Sequence, residues 1–298
     1  MSSNPAKALF RPLQEEDSEA VAKLYRDAFG DQRPLDAEEI ASWFRNPEFQ
    51  SDWLRVLEGG DGIVVAYGDI QVTKDVVILD VAAPGHWTTF LNWAEETARS
   101  EDVPLVRVFI PNGHELADLL ASRGYRYWRS AYTMEVAFGE EPPEAGNPPQ
   151  GIGLHPYTDG DAESLRAALN EAFADNPFYE RVTPERFRAF YLGARGFDPT
   201  LWLLAWDTDA LAGFVLAFPE HAGDSTLGYI ASLGVRPAWR KRGLREALLR
   251  EAFRELHARG LRKVQLGVDA ENQTGALRLY ERVGMRVVRQ GDNWVTDV

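Results

Sequence analysis

Apolar residues in the second half of the chain follow helical spacing in two segments. Downstream of Asp161 they recur at intervals of three and four, which predicts an amphipathic helix. A second stripe, with members four residues apart, predicts a helix over Leu244–Ala258 that ends at Gly260. The apolar positions are Leu165, Ala168, Leu169, Ala172 and Phe173 in the first helix, and Leu244, Leu248, Ala252 and Leu256 in the second.

Short apolar runs between polar or glycine-containing turns predict strands around these helices. Pro184 begins a short helix, because its missing N–H costs nothing at the first helical position. The predicted strands are 152–156, 201–206, 211–218, 227–235, 264–268, 286–289 and 294–298, and a further helix covers 274–283. Strands and helices mixed in this order predict an α+β layer architecture.

The segment 139–151 divides the chain, since it contains four prolines and three glycines and shows no apolar period. We interpret 139–150 as a semi-rigid linker between two domains, 1–138 and 151–298. A long loop within one domain is the alternative. The length of 298 residues is enough for two domains of ordinary size.

The two halves repeat each other, which favours the interpretation as two domains. Asp17 and Asp161 lie 144 residues apart in similar segments, and Gly124 and Gly284 lie 160 residues apart. Other matching residues between these two points are separated by intermediate distances along the chain. A separation that increases steadily in this way is expected of two copies that differ by loop insertions.

Composition excludes several classes of function. The chain has 32 basic and 46 acidic residues, a net charge of −14, so general nucleic-acid binding is not expected. It has no cysteine, which excludes disulfides and thiolate chemistry, and its five histidines lack metal-ligand spacing, so no metal is expected. The apolar run 76–83 is too short for a membrane span, and the first residues lack a signal-peptide core. We therefore expect a cytoplasmic protein without membrane partners.

One segment concentrates positive charge against this acidic background. It joins the strand 227–235 to the helix Leu244–Ala258, with five basic residues and no acidic one between Arg236 and Arg245. Positive side chains at a helix N-terminus oppose the helix dipole, whereas a bound anion there would meet both side chains and N–H groups. Gly243 lets the backbone approach a ligand closely. The segment predicts an anion site, with a solvated basic turn as the alternative; it lacks the ending of a P-loop.

A second segment follows the next predicted strand and begins at Asn272. The Asn272 side chain can cap the following helix and still offer its amide to a ligand. Ala276 and Tyr280 are four residues apart and share one helix face, where the small residue leaves space beside the tyrosine. A simple helix cap and a core aromatic are the alternatives for Asn272 and Tyr280.

Together these segments resemble the signature of the GNAT family of N-acetyltransferases. The first reads Val235-Arg-Pro-Ala-Trp-Arg-Lys-Arg-Gly-Leu-Arg245, where the family has Val-x-Pro-x-x-Arg-x-x-Gly-x-Gly/Ala. The second reads Asn272-Gln-Thr-Gly-Ala-Leu-Arg-Leu-Tyr-Glu-Arg-Val-Gly-Met285, where the family has Asn-x-x-Ala/Ser-x-x-x-Tyr-x-x-x-Gly-Phe. The resemblance covers 151–298 well and reaches the first half through the repeat. A tandem pair that keeps the motifs in its second copy is similar to the mycothiol synthase branch of the family.

The resemblance implies two tandem GNAT-like domains, each with a mixed, largely antiparallel central sheet flanked by helices. It implies acetyl-CoA as co-substrate, with its pantetheine arm paired to the backbone of Leu233 and Val235 where two strands separate. Asn272 would also bond to that arm, and Tyr280 would protonate the CoA thiolate as the acetyl group leaves. The residues implied in CoA binding are Leu233, Gly234, Val235, Arg240, Lys241, Arg242, Gly243, Leu244, Arg245, Asn272 and Tyr280.

Two positions depart from the family pattern. Arg245 stands where the family has glycine or alanine, and we expect it to add a phosphate contact; crowding of the pyrophosphate is the alternative. Tyr229 stands near the position at which many relatives carry a glutamate that deprotonates the amine. The general base is therefore open between Tyr229, Glu220, His221, Asp224 and Asp175, each of which also has a structural interpretation.

The first half lacks the corresponding residues. Leu116 and Leu120 align with Ala276 and Tyr280, and the segment after Pro84 is too short for a pyrophosphate loop. We expect this half not to transfer acetyl groups or bind CoA, but to form a wall of the acceptor cleft.

The sequence therefore predicts an acetyl-CoA-dependent N-acetyltransferase with its active site in the C-terminal domain. The amine of a small molecule would attack the thioester directly. A CoA-binding or sensing protein without catalysis and a protein N-terminal acetyltransferase are the alternatives. The expected partners are the small-molecule amine and, in a homodimer, a second copy; a monomer is equally compatible with the sequence.

Overall fold

The computed structural model describes residues 8–45, 51–175, 179–271 and 275–298. The chain forms two compact units. Unit 1 contains the described residues of Met1–Tyr132, Asp269–Glu271 and Arg289–Val298. Unit 2 contains those of Thr133–Val268 and Asn272–Val288. The domain boundaries predicted from the linker follow the chain, whereas this division follows packing, and it assigns the last ten residues to unit 1.

Unit 1 is an α+β structure with strand order β1-β2-β3-β4-β5. Its elements are β1 (Leu9–Pro12), α1 (Ser18–Phe29), α2 (Ala37–Trp43), β2 (Leu54–Glu58), β3 (Val64–Val72), β4 (Val77–Ala82), α3 (Trp87–Ser100), β5 (Leu105–Pro111), α4 (Leu116–Ser122) and the first part of β6 (Arg126–Ala137). Neighbouring strands are antiparallel except β4 and β5, which are parallel. Parallel neighbours need a crossover connection, and α3 supplies it.

Unit 2 repeats this arrangement with strand order β7-β8-β9-β10-β11. Its elements are β7 (Ile152–Pro156), α5 (Ala162–Ala172), α6 (Pro184–Phe187), β8 (Trp202–Asp207), β9 (Ala210–Phe218), β10 (Leu227–Val235), α7 (Leu244–Ala258), β11 (Lys263–Asp269), α8 (Ala276–Arg282) and the start of β12 (Arg286–Asp297). Only the β10–β11 pair is parallel among these five strands. The predicted fold class, two tandem domains with largely antiparallel sheets, is confirmed.

Two helices cover the two faces of the unit 2 sheet. The apolar stripe of α7 packs on two glycines of the sheet, whose lack of side chains leaves room for the helix. Leu248 lies against Gly213 and Leu256 against Gly228. On the opposite face, Leu165 and Leu169 of α5 join a core with Trp202 and Phe214, among others. The helix α7 ends as predicted, because Gly260 adopts a left-handed conformation and donates its N–H to the His257 carbonyl.

The C-terminal segment corrects one sequence prediction. Two separate strands, 286–289 and 294–298, were expected, but β12 is continuous over Arg286–Asp297. Within unit 1, its residues 291–297 pair with β5, and Gly291 lies under the Phe109 ring, where a side chain would not fit. Asp292 is buried and accepts hydrogen bonds from Asn112 and Ser130. The segment around Asp292 is therefore stable as a strand, because residues distant in sequence supply its hydrogen bonds.

The proline-rich segment 139–150 forms neither helix nor strand, and it packs along α7 within unit 2. The Gly139 carbonyl accepts from His257 near the end of α7, Glu144 pairs with Arg250, and Gly146 lies against the backbone of Ala247 near the start of α7. The segment thus runs antiparallel to the helix towards its N-terminus. Its role as a linker between independently folding domains stays a prediction.

Unit 1 holds a partly buried polar cluster against α1. Asp69 of β3 and Asp80 of β4 lie directly opposite each other, and they accept hydrogen bonds from the Tyr67 and Tyr25 hydroxyls, respectively. The Arg33 guanidinium pairs with Asp80. Burial and the adjacent negative charge of Asp80 raise the pKa of Asp69 to about 8, so this carboxyl is largely protonated at neutral pH.

Within the described ranges, no helix is long and apolar enough to cross a bilayer.

The contact of Gly146 with α7 predicts a stability effect. A Cβ at this position would lie 2.1 Å from the Ala247 carbonyl oxygen, so Gly146→Ala forces the segment off the helix and is expected to lower the free energy of unfolding by about 1–3 kcal/mol. Gly139→Ala is the matched control, because a Cβ there meets nothing within 4 Å. Urea unfolding followed by tryptophan fluorescence measures both. Equal stability of the two variants would contradict the packing described.

The raised pKa of Asp69 predicts a pH effect. Between about pH 4 and pH 8 the folded chain binds a proton that the unfolded chain does not, so this group's contribution to stability falls as pH rises and is lost above about pH 8. Asp69→Asn, which imitates the protonated state, is expected to flatten the fall in melting temperature between pH 5 and pH 9. Asp75→Asn, at an exposed turn position, is the control. An unchanged slope in Asp69→Asn would contradict the assignment.

Candidate active site

The central feature of unit 2 is an opening between two parallel strands. β10 pairs with β11 over Leu227–Ile230 and 263–266, and there the pairing stops. β10 continues along β9 to Val235, with a β-bulge at Ala231 between the paired residues Ile230 and Ser232. One edge of β10 therefore loses its β11 partner for its last five residues.

The pairing pattern shows which backbone groups face this opening. The Arg236 N–H donates to the Ala212 carbonyl of β9 at 2.9 Å. In an antiparallel pair the bonded residues alternate, so Gly234 and Ser232 also bond to β9, while Leu233 and Val235 turn their N–H and C=O groups to the opposite edge. The backbone groups of Leu233 and Val235 thus lie at the opening, and their role in binding a ligand stays a prediction.

Gly234, which the sequence also places among the site residues, has a packing role. It lies opposite Phe214 of β9, and a Cβ on Gly234 would fall 2.2 Å from the Phe214 ring. Leu244, another of the predicted site residues, is buried as the first residue of α7. The side chains at both positions serve the core, so any contact with a ligand there is made by the backbone.

The loop from β10 to α7 has the alternation of backbone conformations that forms a concave row of amides. Lys241 and Gly243 both adopt left-handed conformations, with φ of 63° and 83°, on either side of Arg242. Gly243 is the N-cap of α7, and a Cβ there would enter open space. The first turn of α7 adds N–H groups that have no hydrogen-bond acceptor within the helix. Such a concave row of amides at the positive end of a helix dipole fits an anion.

The basic residues of this loop divide into two sets. Arg236 and Arg240 are tied to the end of α5 and to the chain just after it. Arg236 pairs with Glu171 at 2.6 Å. Arg240 pairs with Asp175 at 2.5 Å and also donates to the Ala172 and Val235 carbonyls. These two arginines therefore anchor the loop.

Lys241 and Arg242 form the other set. Both are exposed, and within the described residues neither has an ion-pair partner. Their charges lie beside the concave amides, in a chain of net charge −14. The exposed positive charge of the loop is therefore concentrated where an anion would lie.

Tyr280 lies on α8, one turn after Ala276, and both residues are buried. Burial raises the pKa of Tyr280 above its usual value of 10, and the nearby positive charge of Arg245 opposes this shift. Tyr280 is therefore protonated at neutral pH, as a proton donor must be. The pKa of Arg245 is lowered, mainly by burial, and its interaction with Tyr280 works in the other direction.

Asn272 lies outside the described residues. The chain also has one residue more between Asn272 and Ala276 than the family signature quoted above, so the alignment of Asn272 with the family's asparagine is less direct than that of Tyr280.

Three of the candidate general bases are bonded to other groups. Asp175 is paired with Arg240, and Glu220 with Arg195 at 2.8 Å. Asp224 accepts from the backbone and hydroxyl of Thr226, which lowers its pKa. The remaining two lie together, since the His221 and Tyr229 rings are stacked with centroids 4.0 Å apart.

Two polar residues beside Tyr229 were not expected from the sequence. Gln265 is buried on β11 directly opposite Tyr229, and its Nε2 donates to the Glu135 carboxylate at 2.7 Å. The available signal was a polar residue inside each of two apolar strands, Val264-Gln-Leu266 and Met134-Glu-Val136.

The corresponding region of unit 1 has a shorter connection and bulkier apolar residues. Only the four residues 83–86 join β4 to α3, against the eight residues 236–243 in unit 2. Trp87, the first residue of α3, packs against the rings of Phe29 and His114. Leu116 and Leu120, which align with Ala276 and Tyr280, are fully buried.

Comparisons with known proteins identify the family of the chain. The sequence model of the acetyltransferase (GNAT) family matches residues 163–285. A mycothiol acetyltransferase of Catenulispora acidiphila is 32% identical over 218 residues, covering 71% of this chain and 68% of the relative. A mycothiol acetyltransferase of Pseudarthrobacter chlorophenolicus is 34% identical over 181 residues, and this match covers 54% of the relative.

Solved structures match over nearly the whole chain. A GCN5-related N-acetyltransferase from Sphaerobacter thermophilus is 30% identical, with a TM-score of 0.79 and coverage of 99% of this chain and 97% of that one. A tandem GNAT protein from the clavulanic acid biosynthesis pathway has the same fold at 14% identity, with a TM-score of 0.71 and coverage of 98% of both chains. The chain belongs to the acetyltransferase (GNAT) family of acyltransferases.

Proposed function

We propose that this chain transfers the acetyl group of acetyl-CoA to the primary amine of a small molecule, at one site in unit 2. The observation that carries the proposal is the opening between β10 and β11, which ends at an amide-lined, positively charged loop. An extended amide-bearing chain that ends in a pyrophosphate fits both parts. The pantetheine arm would pair with the backbone of Leu233 and Val235, and the pyrophosphate would bind the amides of 241–245.

The two sets of basic residues support a division of roles within the loop. Lys241 and Arg242 are exposed and would add charge–charge attraction to the pyrophosphate. Arg236 and Arg240, held by Glu171 and Asp175, would keep the backbone in its concave shape. We therefore assign Arg240 a positioning role rather than a direct side-chain contact with phosphate.

In the proposed reaction the amine nitrogen attacks the thioester carbonyl carbon, and the carbon–sulfur bond then breaks. As that bond breaks, the nitrogen releases one proton to solvent and becomes the amide, while Tyr280 donates its phenolic proton to the departing thiolate and later regains a proton from solvent. A positioned general acid of this kind contributes roughly 10²–10⁴-fold, about 2.7–5.5 kcal/mol. The extra residue of the β-bulge, Ala231, lies just beyond the last β10–β11 pair, where its N–H would polarise the carbonyl.

The names of the relatives support a small-molecule acceptor. The two relatives compared above, 32% and 34% identical, are mycothiol acetyltransferases, and we propose an amine of comparable kind for this chain. Unit 1, with its short β4–α3 connection and buried leucines, would contribute no second CoA site.

A second candidate is a CoA-binding protein without catalysis. The family resemblance implies a glutamate near the position of Tyr229, which here is stacked on His221, and this departure favours the second candidate. The buried, protonated Tyr280 favours the enzyme.

Replacement of Tyr280 separates the two candidates. Tyr280→Phe removes the proton donor but keeps the ring, so kcat for amine acetylation is expected to fall about 10²–10⁴-fold while acetyl-CoA affinity stays within twofold. The chain has no cysteine, so a thiol reagent reports released CoA without background. Tyr127→Phe, at an exposed position of unit 1, is the control.

Two results would count against this assignment. A kcat in Tyr280→Phe within threefold of the wild type would remove Tyr280 from the mechanism. A wild-type chain that binds acetyl-CoA tightly but releases no CoA with any primary amine would favour the binding protein.

A further inference from the structure

One face of the unit 2 sheet carries a row of polar side chains across three strands. Tyr229 of β10 and Gln265 of β11 are directly paired and project to the same face. Gln265 donates to Glu135 of β6 at 2.7 Å, and His221 stacks on Tyr229. We call His221, Tyr229, Gln265 and Glu135 the polar row.

The polar row borders the opening between the strands. The β10–β11 pairing stops one residue after Tyr229 and Gln265. The Tyr229 hydroxyl lies 3.6 Å from the point that a Cβ on Gly267 would occupy, and Gly267 is the first residue of β11 beyond the pairing. The row lies on the face opposite α7, because α7 packs on Gly228, the neighbour of Tyr229. An acceptor that approaches a thioester held in the opening from this face would meet the row.

Glu135 differs from the other carboxylates near β10 in its electrostatic surroundings. Asp175 and Glu220 are each paired with an arginine, and Asp224 is bonded within its own turn. The half-buried Glu135 is bonded to the neutral amide of Gln265, and within the described residues no cationic side chain lies at ion-pair distance from it. A half-buried carboxylate without a cation is a favourable place for a cationic ligand.

We infer that Glu135 binds the ammonium group of the acceptor and takes its proton, an inference that rests on the acetyl transfer proposed above. Gln265 holds one carboxylate oxygen, Oε2, which leaves Oε1 for the substrate. One proton passes from the ammonium to the carboxylate, and the freed nitrogen lone pair then attacks the thioester carbon. The nitrogen loses its second proton to solvent when the carbon–sulfur bond breaks. After the product leaves, the Glu135 carboxyl releases its proton to solvent. The expected acceptors are therefore alkylamines, which are protonated at neutral pH.

The position of Glu135 in the chain has a further consequence. It precedes the proline-rich segment, in the part that the sequence-based boundaries assign to the first domain, yet the end of β6 is part of unit 2. The acceptor site would thus use a residue from outside the segment 151–298 that carries the family motifs.

The test uses the full chain and a panel of glucosamine, spermidine, tyramine and ethanolamine, with released CoA measured by a thiol reagent. For the amine with the highest kcat/KM, Glu135→Gln is expected to raise the amine KM at least tenfold and leave the acetyl-CoA KM within twofold. The rise of kcat/KM with pH that a general base produces is expected to disappear. Glu135→Asp, which keeps the charge, should restore part of the loss. Glu141→Gln, an exposed position in 139–150, is the matched control.

The outcomes distinguish this inference from the proposed function. An amine KM and pH profile in Glu135→Gln equal to those of the wild type would overturn the role of Glu135, and so would a lower kcat with both unchanged, which indicates a structural role. Failure of the wild-type chain to acetylate any amine of the panel would instead contradict the proposed function, and the inference with it.

Discussion

The separation of β10 from β11 beyond Ile230 and Leu266 is the constraint on which the rest of the site depends. Backbone N–H and C=O groups inside a protein need partners, and a strand that loses its neighbour must find others. On one edge β10 keeps β9 as far as Val235. On the other edge, the groups of Leu233 and Val235 face an opening. A ligand with alternating amide donors and acceptors would satisfy them as a further strand would.

Charge placement reinforces this opening. The loop that leaves β10 concentrates basic residues at the N-terminus of α7, an arrangement that opposes the helix dipole. Two of these residues have carboxylate partners, Glu171 and Asp175, and anchor the loop to α5 and the chain just after it. Lys241 and Arg242 stay exposed beside left-handed backbone at Lys241 and Gly243. The repulsion between these positive side chains and the helix dipole therefore occurs at the place where a bound polyanion would make the electrostatic energy favourable.

Local patterns predicted much of the fold. The bounds predicted for β7, β10 and α7 agree with the structure, because each element has a clear apolar period and a sharp stop such as Gly260. The loop motif and the Ala276–Tyr280 face also needed only sequence spacing. The continuity of β12 could not be predicted in this way, since Gly291 and Asp292 resemble a turn until Phe109, Asn112 and Ser130 supply their contacts.

Glu135 was missed for a related reason. A single glutamate in an apolar strand has no local signature, and its interest comes from Gln265, which is 130 residues away in sequence. The roles of Arg236 and Arg240 also needed the structure, because sequence alone does not distinguish a basic residue that binds a ligand from one that anchors a loop. Residues that act through long-range partners are the ones that local patterns leave out.

The central claim is that the chain holds acetyl-CoA once, at the opening and loop of unit 2. Calorimetric titration of the full chain with acetyl-CoA tests it most directly, with Gly243→Val and, as control, Gly260→Val, which changes a left-handed glycine at the other end of α7. The account predicts one site per chain, lost in Gly243→Val and kept in Gly260→Val. Two sites in the wild type, or a site that survives in Gly243→Val, would contradict it.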